Sequence, residues 1–280
     1  MMSRCGQDVP WYTPMDDYQF YTILDSLHRS RRGYRKVRKG VTKRLARHIQ
    51  RLGCRTVSDY LKVLENSIEA RRECERLMTV SISHFFRDRR LWSIMNDSII
   101  PHHIKMGNHE INVWSAGCAL GQEVYSFKIL WSQFESTTDC LPRLCLRATD
   151  ANPSYIERAK RGIYDQPMLK GVTSHIRGTC FYKVENSTSL AIDSRLKTDI
   201  HWEIHDFVRQ HPPEGRFNLI FLRNNLLTYY RREIQEPVLR NILGCLATDG
   251  FLVIGSHEQL PLRADNLVPF KGCGYIFQKI

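Results

Sequence analysis

The sequence predicts an α/β fold, a mostly parallel sheet with helices on both faces, preceded by a small all-α domain. Three observations carry that prediction. After about Leu91, short β-rich runs alternate with helical periods. One of those runs, Phe217-Asn218-Leu219-Ile220-Phe221-Leu222, is almost continuously apolar, as a strand buried on both faces must be. Before Leu91 the apolar residues recur at helical spacing and nothing reads as a strand.

Taken in order, Val41, Leu45 and Ile49 recur every four residues between arginines and lysines, and Gly53 stops that helix. Ser58 opens a second helix with Tyr60, Leu61 and Leu64 on one stripe, and a third runs from about Glu69 to Met78. A basic helical domain over 1–88 and a second domain over 89–280 follow. In the second, Ile111 to Ser115 reads as a strand that ends in Ala116-Gly117-Cys118-Ala119-Leu120-Gly121. A helix with Val124, Phe127, Leu130 and Trp131 on one side comes next, then a strand from Leu144 to Asp150. Asn152-Pro153 opens a helix that Gly162 closes. A small insertion is expected at about 181–202, where apolar residues alternate weakly. Beyond Leu222, a helix spans about Arg232 to Leu246. Asp249-Gly250 turns the chain into Phe251 to Gly255, and Tyr275-Ile276-Phe277 closes it.

Composition narrows the function classes. With 42% hydrophobic and 25% charged residues the chain can build a core. It holds no apolar run of about 18 residues, so no membrane insertion is expected, and its first residues lack the apolar run of a secretion signal. The nine cysteines form no CxxC pair and no histidine cluster has zinc spacing, so no metal site is expected. Scattered and odd in number, they suit reduced thiols and a cytoplasmic location. The net charge of +12 is concentrated: no acid lies between Asp25 and Asp59, while Arg29, Arg31, Arg32, Arg35, Lys36, Arg38, Lys39, Lys43, Arg44, Arg47, Arg51 and Arg55 do. Such a field attracts an acidic protein surface, nucleic acid or anionic lipid. A merely solvated helical face is the alternative.

The chemistry concentrates at the first strand-to-helix turn. Gly117 and Gly121 let backbone approach a ligand closely, and Asp150 at the tip of the next strand is placed to accept from both hydroxyls of a ribose. The helix between them begins with Glu123. A pyrophosphate is repelled by that carboxylate, whereas a sulfonium cofactor with an amino group is attracted, so the charge favours S-adenosyl-L-methionine over a dinucleotide. A structural glycine turn with a capping aspartate is the bland reading of the same residues.

Longer blocks then make a family resemblance. Ser81-Ile82-Ser83-His84-Phe85-Phe86-Arg87-Asp88 and Ala116 to Ser126 resemble the chemotaxis-receptor methyltransferase family of CheR type. Ala148-Thr149-Asp150 with Ala159 to Tyr164, Phe217 to Asn224, and Asp249-Gly250 leading to Gly255-Ser256-His257-Glu258 agree in order and spacing. The resemblance covers nearly the whole chain and implies a class I, Rossmann-like methyltransferase domain. It implies cofactor contacts from Ser81, Ser83, Arg87, Gly117, Gly121, Glu123 (methionine amino group), Asp150 (ribose), Asp206 and Phe207 (adenine), Arg223 and Asn224. It places Arg87 beside the departing methyl group.

Two departures mark a divergent branch. The family has Tyr four residues past the Asn of the Arg-Asn pair, where Thr228 stands here, with Tyr229 one place later. Gly255-Ser256-His257-Glu258 replaces Gly-His-Ser-Glu. The implied reaction is O-methylation of a protein glutamate, with Arg87 and Tyr229 at the reacting end and S-adenosyl-L-homocysteine as product. A glutamate carboxylate is ionised near neutral pH and needs no general base. An amine or hydroxyl acceptor, in RNA or a small molecule, needs one, for which His84, His257, Glu258 and Tyr229 are the candidates. A non-catalytic cofactor-binding scaffold is the third reading. The acidic partner of the basic domain is expected to be the protein substrate, with nucleic acid as the alternative.

Overall fold

The structure, a computed structural model, describes residues 15–80, 83–138 and 140–280. The chain divides into two compact units between Val80 and Ser81. The expected division lay eight residues later, at Asp88. It falls earlier because Phe85 and Phe86 pack inside the second unit, Phe85 edge-on to Tyr164 and Phe181 and Phe86 against Trp92. They are core residues of that unit.

The first unit contains α1 (Asp17–Ser26), α2 (Arg31–Tyr34), α3 (Arg38–Arg51), α4 (Val57–Asn66) and α5 (Ile68–Met78). Their starts are written in the sequence. Asp16 with Gln19 and Thr56 with Asp59 form reciprocal caps, and Ser67 caps α5. Val41 and Leu45 are buried as expected, with Phe20, Ile23, Tyr60, Leu64 and Cys74 completing the core. Part of the basic run has internal work. Arg44 donates to the carbonyls of Leu77 (2.6 Å) and Thr79 (3.1 Å), closing the end of α5. Arg31, Arg38 and Arg51 pair with Asp25, Asp17 and Glu73. Arg32, Arg35, Lys36, Lys39, Lys43, Arg47 and Arg55 remain exposed.

The second unit opens with α6 (Arg89–Ile94), a π-helical turn (Met95–Ile99) and α7 (Ile100–Lys105), a run the sequence pattern did not reveal. The sheet strands are β1 (Glu110–Ala116), β2 (Arg143–Asp150), β6 (Ile200–Ile204), β7 (Phe217–Leu222), β8 (Leu246–Ile254), β9 (Leu267–Pro269) and β10 (Ile276–Lys279). They lie in the order β6-β2-β1-β7-β8-β10-β9. The first five are parallel and β10 is antiparallel to both its neighbours. One core, with Val124, Phe127, Trp131 and Ile156, fills one face; another, with Val238, Leu239 and Ile242, fills the other. The helices are α8 (Gln122–Glu135), α9 (Pro153–Arg161), α10 (Ser174–Cys180), α11 (Leu226–Tyr229) and α12 (Arg232–Cys245).

Two expectations need correction. The insertion is a separate antiparallel sheet of β3 (Ile163–Tyr164), β4 (Phe181–Lys183) and β5 (Leu190–Ile192), in the order β3-β5-β4. Residues Ile200 to Trp202, assigned to that insertion from the sequence, belong to β6 at the edge of the main sheet. Asp249-Gly250 does not precede its strand but lies within β8, where the pairing with β7 jumps from Phe217–Leu246 to Leu219–Phe251. Asp249, at φ 59°, absorbs the extra residues as a bulge.

Candidate active site

Parallel strands bring their carboxyl ends to one edge of the sheet, and in such folds that edge is where ligands bind. Here it gathers Ala116, Asp150, Ile204, Leu222 and Ile254 and the loops that follow them.

The turn after β1 is drawn onto the end of β2. The amides of Gly117 and Cys118 both donate to the Thr149 carbonyl at 2.8 Å. Asp150 accepts from the amides of Ala119 (3.0 Å) and Asn152 (2.9 Å). Gly117 (φ 83°) and Gly121 (φ 84°) take left-handed conformations that glycine alone adopts without strain. A Cβ on Gly117 would lie 2.2 Å from Nδ2 of Asn225, and one on Gly121 3.0 Å from the Cβ of Ala159. Burial pushes the Asp150 carboxyl up to about 6, against the pull of its two backbone donors, with the negative charge of Asp206 adding to the rise. A buried acid raised in this way gains from a ligand that brings hydroxyl donors.

Glu123, in the first turn of α8, accepts from Ser115 Oγ at 2.8 Å and from the guanidinium of Arg223 at 2.9 Å. Arg223, 5% exposed in its side chain, also pairs with Asp88 and donates to the Arg87 carbonyl. Its Nε is buried without a hydrogen-bond partner. The segment carrying Arg87 is fixed from three sides. The amide of Phe86 donates to Ser126 Oγ (2.9 Å), that of Phe85 to the Met168 carbonyl (3.3 Å), and Trp92 Nε1 to the Arg87 carbonyl (2.7 Å). Phe86 and Asp88 hold φ of 51° and 62°, strain concentrated on either side of Arg87. The positive charge of Arg87 reaches both His84, whose pKa it lowers after the larger effect of burial, and Tyr229, whose phenol burial raises and Arg87 lowers.

On the far side, Glu258 accepts from the amides of Asn224 (3.0 Å) and Gly255 (2.6 Å) and from Thr228 Oγ1 (2.5 Å). Burial raises its pKa and these three donors oppose the rise. Sequence reasoning offered Glu258 only as a candidate base, and it missed Asp88 and Asn225 as site-building residues. The structure thus brings Arg87, Asp88, Glu123 and Arg223 into one connected network. Asn224 follows Arg223 in the chain and is held by Glu258, and Tyr229 is in electrostatic reach of Arg87. Gly117, Gly121 and Asp150 form the adjoining turn. Asp206 and Phe207 follow β6 beside Asp150. The Asp206 carboxylate accepts from the Val208 amide (3.0 Å) and Arg209 (3.1 Å), and the Phe207 ring is buried in the core on the α12 face. Ser83 is half-buried, and Ser81 lies outside the described residues.

The donor set fits S-adenosyl-L-methionine. A raised, buried acid stands at the second strand, an acid replaces a phosphate cradle at the first helix, and a buried arginine has a nitrogen to spare. The CheR methyltransferase SAM-binding domain family matches residues 81–274. A probable chemotaxis protein methyltransferase of Rhizobium etli is 27% identical over 81% of this chain and 86% of its own. The chemotaxis protein methyltransferase of Listeria monocytogenes is 28% identical over 75% and 77%. Glycine turn, strand-end acid and the buried arginine network therefore sit in a chain that belongs to the CheR family of S-adenosylmethionine-dependent methyltransferases.

Proposed function

We propose that this enzyme methylates glutamate carboxylates of an acidic protein in the cytoplasm. The observation that carries the reading is that the positive charge of Arg87 acts on the Tyr229 phenol, the two residues that the family resemblance puts at the acceptor end. It attracts an anionic acceptor and repels a protonated amine. The names of the relatives, chemotaxis protein methyltransferases, agree with it. Among the described residues no helix is long and apolar enough to cross a membrane.

In this mechanism Asp150 would accept from the ribose and Glu123 from the amino group, while Arg223 and Asn224 would border the methionine end. Ser83, Gly117 and Gly121 would line the cofactor, and Asp206 and Phe207 would lie toward the adenine. When bound, S-adenosylmethionine supplies a methyl group that is already electrophilic. The chain's own task is alignment and exclusion of water. Arg87 holds the acceptor carboxylate with a two-pronged hydrogen bond and Tyr229 bounds its other side. The exposed face of the helical unit, with Lys39, Lys43 and Arg47, attracts the acidic substrate.

The test is transfer of labelled methyl from S-adenosylmethionine to a soluble chemoreceptor fragment containing paired glutamates. Label released as methanol by mild alkali is the expected result. Alkali-stable label on the fragment, or label accepted by RNA in its place, would overturn the glutamate reading.

A further inference from the structure

Glu258 comes from the loop after β8, 34 residues beyond the backbone amide it holds at Asn224. Its residue exposure is 8%, and it stands where the two parallel strands β7 and β8 end. One oxygen accepts from Asn224 and Gly255, the other from Thr228. A carboxylate offers about four acceptor directions, and three are filled. That leaves little of it for taking a proton from an acceptor. The space is equally committed: a Cβ on Gly255 would lie 2.7 Å from the same carboxylate oxygen and 2.4 Å from Asn224 Nδ2.

What the carboxylate holds is an otherwise unfavourable path. Asn224 is left-handed at φ 54°, and Asn225 leaves at φ −131°, ψ −90° into the single turn α11. A helix of one turn has no stability of its own. Its amides at Thr228 and Tyr229 reach back only to the Asn225 carbonyl. Gln235 of α12 holds the carbonyls of Leu227 (3.0 Å) and Tyr230 (2.8 Å) on one side of the turn. The Thr228 hydroxyl ties it to the buried end of the sheet on the other, and Tyr229 is the next residue along.

We propose that Glu258, acting through Thr228, is a positioning residue for methyl transfer: the bond between them fixes the register of α11 and so places the Tyr229 phenol opposite Arg87. The assignment rests on the glutamate reading given above. It also accounts for the displaced tyrosine, because a hydroxyl short enough to reach a buried carboxylate occupies position 228 and the aromatic ring follows it.

Thr228→Val removes the hydroxyl and keeps the branched shape, and Thr228→Ser keeps the hydroxyl. With the soluble chemoreceptor fragment as acceptor, kcat should fall about tenfold in Thr228→Val, the scale of a small misplacement of a reacting group. KM for the fragment and calorimetric affinity for S-adenosylhomocysteine should stay within about twofold, and Thr228→Ser should restore kcat to within about twofold. A Thr228→Val enzyme that loses melting temperature but keeps kcat would overturn the proposal and leave a strand staple. A Thr228→Ser enzyme as slow as Thr228→Val would overturn it too. Absence of alkali-labile methyl on the fragment with the wild-type enzyme would overturn it together with the glutamate reading, whereas wild-type transfer with unaffected variants overturns the positioning role alone.

Discussion

In the helical unit the ion pairs lie at the surface: Arg76 meets Glu73 at 2.6 Å with side chains 44% and 23% exposed. In the catalytic unit Arg223 is 5% exposed and lies between Glu123 and Asp88, themselves 14% and 27% exposed. Surface pairs of the first kind contribute about 0–1 kcal/mol, because water screens them and the side chains lose freedom. A buried arginine and its two acids together contribute little net stability relative to apolar residues filling the same volume, yet loss of the arginine alone leaves two uncompensated charges. The difference separates charge kept for long-range attraction from charge kept for geometry. One class is replaceable and the other is not.

The largest effect expected from this contrast follows Arg223→Leu. Removing the shared cation should destabilise the protein by about 3–5 kcal/mol, read as a lower denaturant midpoint, because Glu123 and Asp88 are left facing each other. A loss below about 1 kcal/mol would place Arg223 in the same class as Arg76.

Next is Arg87→Ala, with turnover on the receptor fragment reduced about a hundredfold or more, the range that positioning can supply. S-adenosylhomocysteine affinity should fall less, since Glu123 and Asp150 are untouched. Arg87→Lys should recover little, for lysine lacks the planar fork. A folded Arg87→Ala enzyme with near wild-type turnover would assign Arg87 a structural role.

Asp150→Ala should weaken S-adenosylhomocysteine by about 1–3 kcal/mol in calorimetry, the cost of unpaired buried hydroxyls. The pH dependence has a defined sign. With the folded pKa raised from 3.8 to about 6, this group favours the folded ligand-free protein below pH 3.8, and the contribution is lost as pH rises through 6. Ligand affinity runs the other way, because the ionised carboxylate is the better acceptor. Affinity should therefore decline below about pH 6, and a flat profile from pH 5 to 8 would remove Asp150 from the ribose site.

The smallest effect on stability belongs to Lys43→Glu with Arg47→Glu on the exposed side of α3. Stability should move by no more than about 0.5 kcal/mol. The affinity for the receptor fragment should nevertheless fall, and wild-type affinity should weaken with salt, since exposed charges are screened within about 8 Å at physiological ionic strength. Binding unchanged in 1 M salt would break the electrostatic account, and a linear fall of log affinity with log salt on RNA would point to phosphates.

What could be read from the sequence was local in the chain. Gly117, Gly121, Glu123 and Asp150 declare themselves through a strand, a turn, a helix and a second strand read in succession. The caps Asn152-Pro153 and Gly162 fall where they were expected, with Gly162 at φ 63°. What could not be read was the pairing of distant residues. Arg223 meets Asp88 across 135 positions and Thr228 meets Glu258 across 30, and no periodicity records either bond. The edge strand β6 was absorbed into the insertion because it has a neighbour on only one side. Its residues are half-buried or exposed throughout, so the pattern lacks the apolar run that marked β7. The bulge at Asp249 was read as a turn because Asp-Gly signals φ > 0 without saying whether pairing stops there.

The separation of Arg223 from its acids has a consequence for how the chain comes into being. During synthesis Asp88 and Glu123 leave the ribosome 135 and 100 residues before the arginine that neutralises them. Until β7 inserts beside β1, the early strands and α8 carry the acids without their counter-charge, and the contacts that remedy this are among the most non-local in the fold. Non-local pairing is slow because the intervening loop must close first. The partly made sheet, with the β7 edge of β1 still open, is thus the species in which misassembly competes with folding. The same arginine that orders the finished site makes its completion a late step, coupled to the arrival of the final third of the chain.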